Sequence, residues 1–176
     1  MNTEIRQAMA ETNCMLEHLV TRHPRLFRGA RPLCWSYLHP GWLARADRLC
    51  ADIEALLSDD AAQLFSVQQI KEKFGTLRFY WRLAKSGDDR CRTRATPAEG
   101  RSLEDLIESL VEQAWRDSAS ICDICGMPGR IWSDVAAAEH LDRGVVRPDD
   151  LFDFWKLRCW CVGHARAVAA IERSQS

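Results

Sequence analysis

Two pairs of side chains in this sequence have the types and spacing of metal ligands. Residues 121–130 read "ICDICGMPGR", with Cys122 and Cys125 two residues apart ahead of a glycine-bearing turn. Further on, "RCWCVGHARAVAAI" places Cys161 and His164 at the same spacing. Thiolates and imidazole are ligands of tetrahedral zinc, and four of them close its shell. The alanine-rich run after His164 predicts a helix, so Cys161 and His164 fall in its first turn and point to one side. Partial positive charge at a helix N-terminus favours the thiolate that a metal needs. Cys159, in the same short stretch, stands as an alternative ligand.

Other chemistries of such cysteines fit less well. A redox C-x2-C opens a helix after a strand, whereas here Pro128 and Gly129 stop a continuing helix and a helical pattern precedes the motif. Four unrelated core cysteines would leave the shared spacing without a cause. The whole arrangement, a C-x2-C-G turn and then a C-x2-H opening a terminal helix, resembles a treble-clef zinc finger. In that module a knuckle and a helix start share one zinc across a hairpin. "GRIWSDV" and "KLRCW" supply its candidate strands, and Gly126 and Gly129 suit the knuckle turn. Four protein ligands leave no open position, so Zn2+ is expected to be structural and no catalytic residue is assigned.

"QQIKEKFGTLRFYW", together with "CDICGMPGR" and a final "CVGHA", also resembles a group of small uncharacterised bacterial and phage proteins. The resemblance covers roughly the last two-thirds of the chain. It implies the pairing of the two cysteines with the terminal Cys-x2-His, and no activity.

The elements that must position these ligands follow from hydrophobic periodicity. Ile5, Met9, Leu16, Leu19 and Val20 mark a first helix over 4–20, ending before Pro24. A proline-punctuated connection follows, in which Phe27, Trp35 and Tyr37 are expected to hold to the core. Leu43, Ala46, Leu49, Cys50, Ile53 and Leu56 recur at helical spacing over 42–57, with Arg45, Arg48, Asp52 and Glu54 facing away. Leu64, Val67, Ile70 and Phe74 read as a second helical stripe closed by Gly75. The alternative makes "VQQIKEKFGTLRFYW" a hairpin turning near Gly75, and the pattern leaves both open. Leu77, Phe79, Trp81 and Leu83 alternate with polar residues, which predicts a strand near 76–83. A polar loop rich in turn formers follows, a candidate mobile segment. Ser102 and Asp105 form a capping-box pattern, and Leu103, Leu106, Ile107, Leu110, Val111, Ala114 and Trp115 form the apolar face behind it. The fold class expected is α+β: a lobe over 1–100 with helices and a short antiparallel sheet, then a helix and a treble-clef-like zinc module over 101–176.

Composition narrows the function. The 176 residues are 47% hydrophobic and 28% charged, with a net charge of −1, so no global charge favours polyanions or membranes. No signal peptide or long apolar span is read, and the eight cysteines are expected in a reducing cytoplasm. Between positions 71 and 94, however, Lys71, Lys73, Arg78, Arg82, Lys85, Arg90, Arg92 and Arg94 outnumber Glu72, Asp88 and Asp89. These cations, beside Phe79, Tyr80 and Trp81, are the candidate nucleic-acid contacts, although alternation leaves only Tyr80 free to stack on a base. Glu139, His140 and Asp142 in "AAEHLDRG" lie where treble-clef nucleases carry a second metal, but lack the partner histidines and asparagine such sites need. Gln69 and Lys71 with Asp59 or Asp60 form a degenerate carboxylate–lysine nuclease pattern. His18 and His23 are expected to cap or solvate the first helix, and His39 to lie in a loop. Cys14, Cys34 and Cys50 read as small core residues, and Cys91 as an exposed thiol. With seven tryptophans and no catalytic motif, the best expectation is a non-enzymatic module that binds a protein partner. A nucleic-acid binder or treble-clef nuclease is the alternative.

Overall fold

The computed structural model describes residues 14–28, 37–84, 101–132 and 157–167. In chain order they form helix α1 over 14–22, a 3-10 turn at Pro40–Trp42, α2 (Leu43–Leu56), α3 (Asp59–Leu64), β1 (Phe65–Lys73), β2 (Thr76–Leu83), α4 (Leu103–Ser118), β3 (Arg130–Trp132), β4 (Arg158–Trp160) and α5 over 162–167. The fold is α+β, with two antiparallel two-stranded sheets, β1–β2 and β3–β4, among these residues. No helix among them is long and apolar enough to cross a membrane.

The second helical stripe is not a helix. Only Asp59–Leu64 is helical, capped by Ser58 Oγ, which accepts from the Ala61 amide; Phe65 then opens β1. The hairpin alternative is the observed structure, with Phe65 opposite Leu83, Val67 opposite Trp81, Ile70 opposite Phe79 and Lys73 opposite Thr76. A β-bulge between Val67 and Gln69 leaves Gln68 unpaired and shifts the strand's phase. Buried positions therefore run Phe65, Val67, Ile70 instead of keeping a strict period of two. That extra residue is what made the apolar spacing look helical. Phe74 and Gly75, both at positive φ (57° and 71°), form the two-residue turn.

One buried cluster joins Leu16 and Leu19 of α1, Ala46, Leu49, Cys50 and Ile53 of α2, the inner face of the hairpin, Leu103, Ile107 and Ala114 of α4, and Cys159 of β4. Phe27 is buried with them, Val20 and Cys14 are exposed, and Trp35 and Cys34 lie outside the described residues. The capping box at Ser102 forms as expected, the Asp105 amide donating to Ser102 Oγ and the Ser102 amide to Asp105. Such a cap is worth about 1 kcal/mol. Trp115 departs from expectation: it lies on the exposed flank of α4 with the Arg78 guanidinium 4.7 Å from its ring centroid. His18 is solvent-exposed, but His23 is buried, its Nδ1 2.9 Å from Glu54 Oε2 and its Nε2 3.1 Å from Asp47 Oδ1. It ties the end of α1 to α2 instead of capping or solvating it.

Candidate metal centre

Four residues beyond the end of α4, Cys122 begins a tight knuckle. The Cys122 amide donates to the Met127 carbonyl at 2.8 Å, and the Gly126 amide donates back to the Cys122 carbonyl at 2.9 Å. Gly126 holds a φ of 74°, in the left-handed region that a side chain disfavours. The Met127 amide donates to Cys125 Sγ. The chain continues into β3, whose Ile131 lies opposite Cys159 of β4. Cys161 follows β4 immediately, and its carbonyl accepts from the Ala165 amide at 3.0 Å to start α5.

This path brings Cys122, Cys125, Cys161 and His164 together, their four ligating atoms within 4.8 Å of one another. Cys122 Sγ lies 3.4 Å and Cys161 Sγ 3.3 Å from His164 Nδ1, and Cys125 Sγ lies 3.9 Å from Cys161 Sγ. Tetrahedral zinc with Zn–S near 2.3 Å and Zn–N near 2.0 Å places sulfur atoms about 3.8 Å apart and sulfur and nitrogen about 3.5 Å apart. The donor set and these three edges fit one such ion. The His164 amide donates to Cys161 Sγ and holds that thiol below its ordinary value, in the direction metal binding needs.

Cys159 does not join them. Its side chain turns into the main core, and its Sγ donates to the Ala119 carbonyl at 3.3 Å. Burial, with the Asp123 carboxylate adding to it, pushes its thiol up to about 12. A thiol that resists ionisation is a poor ligand, so the alternative ligand of the sequence reading is a core residue.

The centre is fastened from outside by residues that carry no ligand signal. The 3-10 turn lies against the knuckle: the Gly41 amide donates to the Asp123 carbonyl at 2.8 Å, and Trp42 Nε1 to the Ile121 carbonyl at 2.9 Å. Asp123 is fully buried and accepts from Arg158 Nε at 2.8 Å, while its amide donates to the Cys159 carbonyl at 2.8 Å. Desolvation raises its carboxyl, and the Arg158 hydrogen bond opposes the rise. Arg158 Nη2 reaches His39 Nδ1 at 3.3 Å, so this loop histidine is buried and joined to the strand that leads into Cys161. Beneath the ligands Cys122, Trp132, Trp160 and Ala165 form a small core of their own, with Trp132 Nε1 donating to the Trp160 carbonyl at 2.9 Å.

The other candidates are scattered. Lys71 and Arg78 face each other across the hairpin; Lys71 Nζ lies 5.0 Å over the ring of Tyr80, which is 41% exposed as the alternation required. Lys73 and Arg82 are exposed, whereas Lys85, Arg90, Cys91, Arg92 and Arg94 lie outside the described residues, as do Glu139, His140 and Asp142. Asp59 pairs with Arg25 at 3.0 Å, and among the described residues neither it nor Asp60 belongs to a cluster of three or more His, Cys, Asp or Glu side chains that could hold a metal. No protein-family model matches the chain, and no curated protein or solved structure matches it.

Proposed function

We propose that this chain is a non-catalytic recognition module in which a treble-clef-like unit, closed by structural zinc, presents a rigid surface to a protein partner. One observation carries the reading: three cysteine sulfurs and one imidazole nitrogen lie within a shell that a tetrahedral ion fills. Soft sulfur donors with an imidazole favour zinc over magnesium, calcium or manganese. The order of knuckle, β3–β4 hairpin and helix start supports the treble-clef assignment. Bound there, the ion supplies folding energy, because the small core under it is too small to hold the hairpin and α5 alone.

The partner-binding half of the reading is supported by what surrounds the clamp. Ile124 and Met127 on the knuckle, Ile131 on β3 and Val162 on α5 are exposed apolar side chains, Met127 at 61%. Rigidly held apolar side chains cost little ordering entropy on association. The free thiols of the described cysteines are consistent with a reducing, cytoplasmic setting. The test is recovery of partners from host lysate with tagged protein, with and without nuclease treatment, beside the metal-free Cys122→Ser variant. A protein partner that survives nuclease and is lost with the metal is expected; partners released by nuclease would favour the alternative. That second reading, nucleic-acid binding, is supported by Lys71, Arg78 and Tyr80 sharing the outer face of the hairpin.

A further inference from the structure

The two edges of the β1–β2 hairpin are treated differently. On the outer edge of β1, the Val67 amide donates to the Leu26 carbonyl at 3.1 Å and the Ile70 carbonyl accepts from the Tyr37 amide at 2.7 Å. On the outer edge of β2, the Leu77 amide donates to Ser118 Oγ at 2.9 Å. Residues of a strand alternate in the direction of their amides, and Ala84, on the even phase, donates toward β1 at the Leu64 carbonyl. Phe79 and Trp81 share the phase of Leu77, so their amides and carbonyls face away from β1. Among the described residues no backbone group pairs with them there.

A groove of about 490 Å³ runs along this open edge, between Leu77–Trp81 of β2 and the flank of α4 that carries Glu108, Val111, Glu112 and Trp115. Its far wall is anionic. Glu112 pairs with Arg116, but Glu108 makes no ion pair among the described residues. Arg78 Nε, shielded from water, has no hydrogen-bond acceptor there. An unpaired strand edge asks for another strand, and the Glu108 carboxylate over it, beside Glu112, asks for a cation.

We propose that an extended segment of the protein partner, carrying lysine or arginine, docks in this groove as a third strand on the edge of β2. Its main chain pairs with Phe79 and Trp81, an alternate cationic side chain meets Glu108 and Glu112, and an apolar one rests on Val111. This is β-strand addition, in which backbone bonds give affinity and alternate side chains give selectivity. The proposal rests on the partner-binding reading above and names the chemistry of the segment recognised.

The probe is a capped hexapeptide of alternating lysine and valine, titrated by fluorescence anisotropy against the metal-loaded full chain. Comparators are the glutamate–valine peptide and a lysine–valine peptide with N-methylated backbone. We expect the lysine peptide to bind and to slow hydrogen exchange at the Phe79 and Trp81 amides. Its affinity should fall about tenfold or more on N-methylation or in the Glu108→Gln, Glu112→Gln double variant, which alters only exposed or half-exposed side chains. Equal binding of the acidic peptide, or no loss on methylation, overturns the proposal. So do Phe79 and Trp81 amides already slow in the free protein, because the chain or a second copy of it then fills the edge. A natural partner retained by the double variant overturns the groove alone; failure to recover any protein partner overturns the recognition reading.

Discussion

The amide of Gly41 donates to the carbonyl of Asp123 at 2.8 Å, from a position so close that a Cβ on Gly41 would stand 2.1 Å from the Cys122 carbonyl oxygen and 2.6 Å from the Gly126 nitrogen. The 3-10 turn and the knuckle thus meet backbone to backbone, with no space for a side chain. Gly41→Ala should cost at least about 1–3 kcal/mol, the usual range for overpacking. Gly163→Ala is the control: its Cβ meets only Cys161 Sγ, at 3.9 Å, and it lies within α5. Urea unfolding of the zinc-loaded proteins should show a lower midpoint for Gly41→Ala alone. Equal midpoints would mean that the two segments are not docked.

Purified without chelator, the protein should carry one zinc per chain by elemental analysis. Cys122→Ser should abolish it and release β3, β4 and α5, because ligation and folding are coupled in so small a core. Cys159→Ser should keep the metal and lose stability instead, since its sulfur lies in the main core against the Ala119 carbonyl. The reverse pattern would reinstate Cys159 as a ligand.

Much of this architecture was legible in the sequence because it is written in local patterns. The α2 stripe, the Ser102 capping box, the β2 alternation and the ligand spacing each depend on neighbours a few residues apart. The bulge at Gln68 was not legible: adding one residue to a period of two leaves a gap of three between Val67 and Ile70, which a helix also produces. The fastening of the metal centre was hidden for another reason. Gly41, His39 and Arg158 act through contacts with residues far away in sequence, and nothing near them in the chain announces the partner. The one local hint was the Pro40–Gly41 pair, which reads as a turn and says nothing of what the turn touches.

His39 predicts a pH dependence. Its ring is wedged edge-on against Tyr37 and Trp42, at 4.4 and 5.5 Å between centroids, and accepts from Arg158. Burial, and then the Arg158 guanidinium, push its pKa down from 6.5 to about 3. Below pH 6.5 the unfolded chain takes up a proton that the folded chain refuses. Stability is therefore full above that pH and is lost progressively as pH falls toward 3. The loss from this group at pH 5 is about 2 kcal/mol. His39→Gln keeps an acceptor for Arg158 and has no proton to gain, so its stability should change less between pH 6.5 and 5. Denaturant titrations with excess zinc compare the two slopes; the ligand His164 is common to both and drops out of the difference. Parallel slopes would show that His39 is not held neutral.

The basic hairpin should bind nucleic acid weakly and without sequence preference. Arg78 is stacked on Trp115, Lys71 lies over Tyr80 and Lys73 lies over Phe74, which leaves Arg82 as the exposed hairpin cation with no ring or ion-pair contact among the described residues. Each phosphate neutralised on a single strand contributes about −0.7 to the slope of log affinity against log salt. Titrations with DNA and RNA at low and physiological salt should give a shallow slope and little binding at the higher salt. Tight binding with a steep slope would promote the nucleic-acid reading over the protein-partner one.

The last prediction is that the metal does no chemistry. Activating a water or polarising a substrate oxygen requires an open coordination position, and three thiolates with one imidazole fill a tetrahedral shell. Three of the edges among the four donors match that closed shell, and the buried Cys122 beside Trp132 and Trp160 leaves one side of it dry. Hydrolysis would then require a second metal, for which the sequence offers Glu139, His140 and Asp142, one imidazole among two carboxylates. Plasmid DNA and RNA should stay intact on incubation with magnesium, manganese or added zinc, and His140→Ala should behave as the wild type does. Cleavage by the wild type that disappears in a folded, zinc-replete His140→Ala variant would make this chain an enzyme, with the Cys122–His164 centre as its scaffold and the chemistry elsewhere.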